Sequence, residues 1–180
     1  MKFDILDKYN LVNFITDKSV DINYSKQSRD EIRGILQGMS DYQFKKIISP
    51  RQTHTNNVVV INEDNLDNEL QDVDGVITKL KGVALTIATA DCQSIILYDK
   101  KNEVIGNIHS GWKGTLNKIL NNGISLMIKE FSSNVEDLIV CIGPSIMGCC
   151  FEVDKDVVDM FLDNFNDIDE FIKLGDIKED

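Results

Sequence analysis

His54 and His109 are the only two histidines among 180 residues, and Cys92 lies between them in Thr89-Ala90-Asp91-Cys92. Two imidazoles and one thiolate make a three-ligand set for zinc, which in catalytic sites keeps a fourth position open for water or substrate. Each residue also has an ordinary reading. His54, just before the apolar run Val58-Val59-Val60-Ile61, also reads as a solvated loop residue, Cys92 as a core thiol and Asp91 as a turn former. The same residues suit a second chemistry, a metal-free cysteine hydrolase with Cys92 as nucleophile activated by His54 or His109. A single copper ion is a third. Blue and trinuclear copper centres together draw on more imidazoles than two, which excludes a true multicopper oxidase.

Three segments must position these groups. The polar loop Pro50-Arg51-Gln52-Thr53-His54-Thr55-Asn56-Asn57 delivers into an apolar strand. Around Asp91 and Cys92, two apolar runs flank a small-residue turn, so rigid elements would hold the acid and the thiol while the turn exposes them. Asp91 is placed to orient an imidazole or to move a proton. The third segment, Val104 to Gly114, reads as a strand entering a turn and then a helix. Gly111 and Gly114 there permit close backbone approach to a ligand, and N–H groups at the helix start suit an anion.

The remaining pattern predicts an α+β fold, a mixed β-sheet core flanked by helices. Leu11–Ile15, Asn57–Ile61, Val83–Ala88, Ser94–Tyr98, Val104–His109 and Leu138–Ile142 read as strands. Several are apolar on both faces, as in a sheet covered by helices. Ser28 and Glu31 form a capping box ahead of Ile32, Ile35 and Leu36. A second helix is predicted over about Thr115–Phe131, and a third from Asp154 with Val157, Val158, Phe161, Leu162 and Phe165 on one face.

Length and an apolar content of 42% favour one domain over 1–180. No run approaches the roughly 18 apolar residues of a membrane span, and the start Met1-Lys2-Phe3-Asp4 lacks secretory features, so a cytoplasmic protein is expected. A net charge of −11 argues against nucleic acid and anionic membranes as partners. From Asp154 onward ten acidic residues face three lysines, which leaves −4 elsewhere, so Lys113 or Arg51 could still hold an anionic substrate. The four cysteines read as thiols. Cys141 belongs to a buried run, and adjacent Cys149 and Cys150 would bridge only with strain.

Together the motifs resemble a known family. They are Gln52-x-His54, Asp74-Gly75 with Thr78, Ala90-Asp91-Cys92, His109-Ser110-Gly111-Trp112-Lys113-Gly114, Ile142-Gly143-Pro144-Ser145-Ile146 and Cys149-Cys150-Phe151-Glu152-Val153. Their order and spacing resemble the proteins once labelled multicopper polyphenol oxidases, or laccase domain proteins, and now regarded as purine nucleoside phosphorylases of the YfiH and FAMIN type. The likeness covers roughly residues 45 to 165.

The resemblance implies that His54, Cys92 and His109 are metal ligands, with zinc as the usual metal and copper as the alternative. It implies phosphate-dependent cleavage of adenosine, inosine, guanosine and methylthioadenosine to base and pentose 1-phosphate, with adenosine deaminase activity beside it. On that reading Asp91 or Glu152 carries a proton while activated water attacks C6 of adenine. For phosphorolysis, Lys113 and the turn containing Gly111, Trp112 and Gly114 meet phosphate oxygens, and Gln52 joins the substrate contacts.

The pattern also departs from the family. Lys113 stands where arginine is usual, a point charge in place of a planar fork, and Gln93-Ser94 replaces Leu-Pro. The family's late Cys-Thr and Phe-Phe-Ser-x-Arg-Arg segments have no counterpart before Asp180, so a C-terminally short domain is expected. An inactive nucleoside-binding remnant is therefore a further alternative.

Overall fold

The computed structural model describes residues 1–17, 19, 20, 22, 27–166, 168 and 172. A five-stranded mixed sheet carries the architecture. Its strands are β2 (Val58–Ile61), β3 (Gly75–Thr78), β5 (Gln93–Asp99), β6 (Val104–Ser110) and β7 (Leu138–Ile142), in the order β2-β3-β6-β5-β7. Only β2 and β3 run parallel; the other neighbours are antiparallel. A separate parallel pair joins β1 (Lys46–Ile48) to β4 (Val83–Leu85).

Alternation along β5 and β6 explains the layering. Ile95, Leu97, Val104 and Ile108 project to one face and pack with Ile77 against Ile119 and Met127 of helix α4 (Ile119–Phe131). That helix lies close: a Cβ on Gly123 would stand 2.6 Å from Ile108 Cδ1. The opposite face holds Ile96, Tyr98 and Ile105, covered by Phe3, Leu6, Tyr9 and Leu11 of the N-terminal segment. Leu6 belongs to the short helix α1 (Asp4–Asp7). The second face is thus covered partly by extended chain, where double-sided apolar strands had suggested helices. Among the described residues no helix is long and apolar enough to cross a membrane.

Helix α2 (Arg29–Gly38) starts at the predicted capping box. Ser28 Oγ accepts from the Glu31 N–H at 3.2 Å, and Glu31 Oε2 accepts from the Ser28 N–H at 2.7 Å. Helix α5 (Lys155–Asn164) starts after Asp154 as predicted, although its apolar face is only half covered and Leu162 is exposed.

Three expectations need correction. Leu11–Ile15 is extended but joins no sheet: Ile15 exchanges both backbone bonds with Met1, and the Asn13 carboxamide takes the N–H and carbonyl of Phe3. The helix expected over Thr115–Phe131 is two helices, α3 (Trp112–Leu116) and α4, separated by left-handed Lys118 at φ +57°. Asn117 Nδ2 donates to the Lys113 carbonyl at 2.8 Å at the end of α3, while Asn56 and Asn122 tie the break to the His54 loop. Strands β1 and β3 were unanticipated. Gly75 opens β3 where Asp-Gly signals a turn, yet a Cβ there would meet Val58 Cγ2 at 2.9 Å.

Asp99 closes β5 as a fully buried carboxylate that accepts from the Lys101 and Asn102 N–H groups at 2.8 and 2.9 Å. Burial pushes this acid up, but the hydrogen bonds outweigh it and hold it below the usual carboxylate range. The ionised form therefore adds stability that is complete above the unfolded value, near 3.9, and is lost as pH falls through the folded value. Asp99→Asn is expected to cost about 1–3 kcal/mol at neutral pH. Urea unfolding midpoints from pH 7 to 3 should show the gap from wild type shrinking only in the acid range.

Candidate metal centre

The donor atoms of His54, Cys92 and His109 all lie within 4.8 Å of one another, the one such three-donor group among the described residues. They come from three places in the chain. His54 sits in the β1–β2 loop, Cys92 immediately precedes β5, and His109 is the penultimate residue of β6. Sheet register sets the last two side by side, because Ser94 pairs with His109 and Gln93 with Ser110.

A buried carboxylate organises both histidines. Asp74, wholly inaccessible to solvent, accepts from His109 Nδ1 at 2.7 Å, which leaves His109 Nε2 as the nitrogen free for a metal. The same carboxylate accepts from the N–H groups of Thr53, His54 and Thr55 at 3.3, 3.0 and 2.7 Å and from Thr55 Oγ1 at 2.7 Å. These bonds hold His54 in the left-handed region at φ +61°, which is uncommon for a residue with a Cβ. Burial drives Asp74 up, yet the donors from His109, Thr55 and Thr53 prevail and keep it ionised below the usual range.

Cys92 is brought in by a second tie. Gln52 Nε2 donates to the Ala88 carbonyl at 2.8 Å, and Gln52 Oε1 accepts from the Ala88 N–H at 2.7 Å. The carboxamide thus acts like a strand pairing between the His54 loop and the segment leading to Cys92. Its nitrogen and its oxygen each make one bond to backbone.

The residues fit a metal. Cys92 Sγ stands 3.8 Å from His54 Nε2, close to the roughly 3.6 Å edge of a tetrahedron built with zinc–nitrogen and zinc–sulfur bonds of about 2.0–2.1 and 2.3 Å. Gly111 leaves room for the set, since a Cβ there would lie 2.9 Å from His54 Cδ2 and 3.0 Å from Cys92 Sγ. Burial, together with the Asp91 and Asp74 charges, pushes the Cys92 thiol up. That opposes a free thiolate nucleophile, whereas a cation between the three donors would favour the thiolate.

The other expected residues are dispersed around this centre. Asp91 is exposed next to Cys92, and its carbonyl accepts from the Ile146 N–H at 2.9 Å. Lys113 is exposed on α3 with Nζ 5.4 Å from the centroid of the half-buried Trp112 ring. Gly114 is buried where a Cβ would meet Ile119, Ser110 and the Thr55 carbonyl, so its role includes packing α3 against the His54 loop. Glu152 is exposed between the Gly148–Cys150 turn and α5, and its carboxylate is not part of the donor group. Asp74 entered the sequence reading only through the Asp74-Gly75 motif, with no role assigned at the site. Asp-Gly is an ordinary turn signal, and only its buried partners distinguish it.

The fold is an open mixed sheet of the α+β class that brings two imidazoles and a thiol within reach of a single ion. The chain belongs to the family described as multi-copper polyphenol oxidoreductase laccase, whose model matches residues 9–178. A purine nucleoside phosphorylase of Bacteroides thetaiotaomicron is 36% identical over 78% of this chain and 56% of its own length. One from Clostridium acetobutylicum is 32% identical over 97% of this chain and 77% of its own. An adenosine deaminase from an unknown prokaryotic organism is 35% identical, covering 68% and 50%. Among solved structures, the YfiH protein of Bacillus licheniformis superposes with a TM-score of 0.63 at 28% identity, over 74% of this chain and 51% of that one. The chain therefore spans about half the length of several of these relatives.

Asp74→Asn replaces an acceptor by an amide whose NH2 group faces donors, and Gln52→Ala removes the tie to Ala88. Each is expected to weaken zinc binding about 10–100-fold, read by competition with a chromophoric chelator and with circular dichroism monitoring the fold. Gly111→Ala should also weaken binding in that assay, because its methyl group displaces two ligands.

Proposed function

We propose that this chain is a laccase-type domain spanning 1–180 that carries the metal centre of a purine nucleoside enzyme. The reaction is phosphorolysis of adenosine, inosine, guanosine or methylthioadenosine to base and pentose 1-phosphate, with adenosine deamination as a second activity. The observation that carries this reading is the convergence of His54, Cys92 and His109 under the control of Asp74. Relatives named purine nucleoside phosphorylase and adenosine deaminase support the substrate class.

Zinc suits the nitrogen and sulfur donors, with copper as the alternative, and when bound supplies a Lewis-acid centre. The chain's own residues do the rest. Asp74 fixes the tautomer of His109, so that Nδ1–H is committed to the carboxylate and Nε2 is left for the metal. Gly111 keeps the space before the donors clear of a side chain.

In phosphorolysis a phosphate oxygen bonds to the anomeric carbon, and the C1′–N9 bond breaks with its electron pair leaving on the purine. The Lys113 ammonium and the N–H groups of Gly111, Trp112 and Gly114 are the donors assigned to phosphate oxygens. For deamination Asp91, adjacent to Cys92, is the assigned proton carrier, with Glu152 as the second carboxylate. We place the activity in the cytoplasm, where four unpaired thiols are stable.

Incubating the zinc-loaded protein with adenosine, with and without phosphate, tests the proposal. Adenine formed only with phosphate is the expected product of phosphorolysis, and inosine that of deamination. His109→Ala and Cys92→Ala should each abolish stoichiometric zinc and both products. Absence of adenine and inosine from the wild-type reactions would refute the proposed activity.

A further inference from the structure

Outside the metal centre, Cys149 and Cys150 are adjacent, exposed and unbridged, with sulfurs 3.3 Å apart. Free cysteine is ordinarily a buried residue, as Cys141 is in β7 at 6% exposure. Neighbouring side chains in extended backbone point to opposite sides. Here the chain turns through Gly148–Cys150, and the Cys150 and Phe151 N–H groups donate to the Met147 carbonyl at 2.9 and 3.1 Å. The turn places both thiols on one side before any ligand arrives.

The spacing selects among acceptors. With element–sulfur bonds of about 2.3 Å, sulfurs 3.3 Å apart subtend roughly 90° at the bound atom. Tetrahedral zinc asks for a wider angle and two-coordinate copper(I) for a linear one. A pyramidal trivalent metalloid accepts such a narrow angle. Both thiols are soft donors suited to that class. Neither belongs to the three-donor group of His54, Cys92 and His109.

We propose that Cys149 and Cys150 form a second binding site, a dithiol chelate for trivalent arsenicals, distinct from the His54–Cys92–His109 centre. With phenylarsine oxide two S–H bonds break, two As–S bonds form, and the arsenic-bound oxygen leaves with both protons as one water molecule. No oxidation state changes, so no oxidant or reductant is needed. Chelation by two thiols on one turn makes the second bond intramolecular, which raises retention about 10²–10⁴-fold over a single thiol.

The test treats the full zinc-loaded chain with phenylarsine oxide and follows intact mass. One adduct per chain is expected, resistant to excess 2-mercaptoethanol and removed by dithiothreitol. Cys149→Ser and Cys150→Ser should each lose that resistance, with affinity falling about 10²–10⁴-fold. The site is overturned by a wild type that takes up no reagent or loses it to monothiol. It is also overturned by an adduct that persists in both serine variants. Because the readout is adduct mass, it stands or falls independently of nucleoside turnover.

Discussion

One buried carboxylate constrains the rest of the site. Asp74 is removed from solvent, and an ionised carboxylate there is tolerable only if its oxygens are hydrogen-bonded. Its donors are three successive N–H groups and a hydroxyl from the His54 loop, plus the His109 ring. The loop cannot relax, nor the ring rotate, without leaving charge unpaired. The left-handed backbone of His54 and the orientation of His109 are both consequences of that requirement. The geometry of the site is therefore set by the chain's own hydrogen bonds.

The Gln52 tie and the bare Cα of Gly111 complete the arrangement on the thiol side. Gln52 supplies two bonds where the β1–β4 pair has ended, so the segment carrying Cys92 continues to track the His54 loop. Gly111 lies at the junction of β6 and α3, where any side chain would press on two ligands. The antiparallel register of β5 and β6 sets Cys92 beside His109. Three kinds of constraint together place the donors: hydrogen bonding to buried charge, a side-chain bridge, and sheet register.

Much of the frame was legible because it rests on local patterns. The runs in β2, β5, β6 and β7 are β-branched and bounded by turn residues; α2 starts at its capping box, and α5 starts after Asp154 beside an acidic first turn. Features that depend on distant partners were not legible. Leu11–Ile15 has strand composition but is tied mainly to Met1 and Phe3. The periodicity of Thr115–Phe131 conceals a break stabilised by Asn56, about sixty residues away. Gly75 looks like a turn residue and is required in a strand by the approach of Val58.

The sequence by itself determined the donor set. Two imidazoles, a thiol between them and glycines beside the second histidine supply a candidate donor set, and the order of their motifs indicates the family. Only the tertiary structure decided that the three donors meet, that Asp74 rather than a neighbour orients them, and that Gln52 bridges backbone. The physical reason is one of range. Residue type and periodicity act within a turn or a strand, whereas Cys92 and His54 are 38 positions apart and His109 and Asp74 are 35 apart. Their distances follow from strand register and buried hydrogen bonds that no local window of sequence contains.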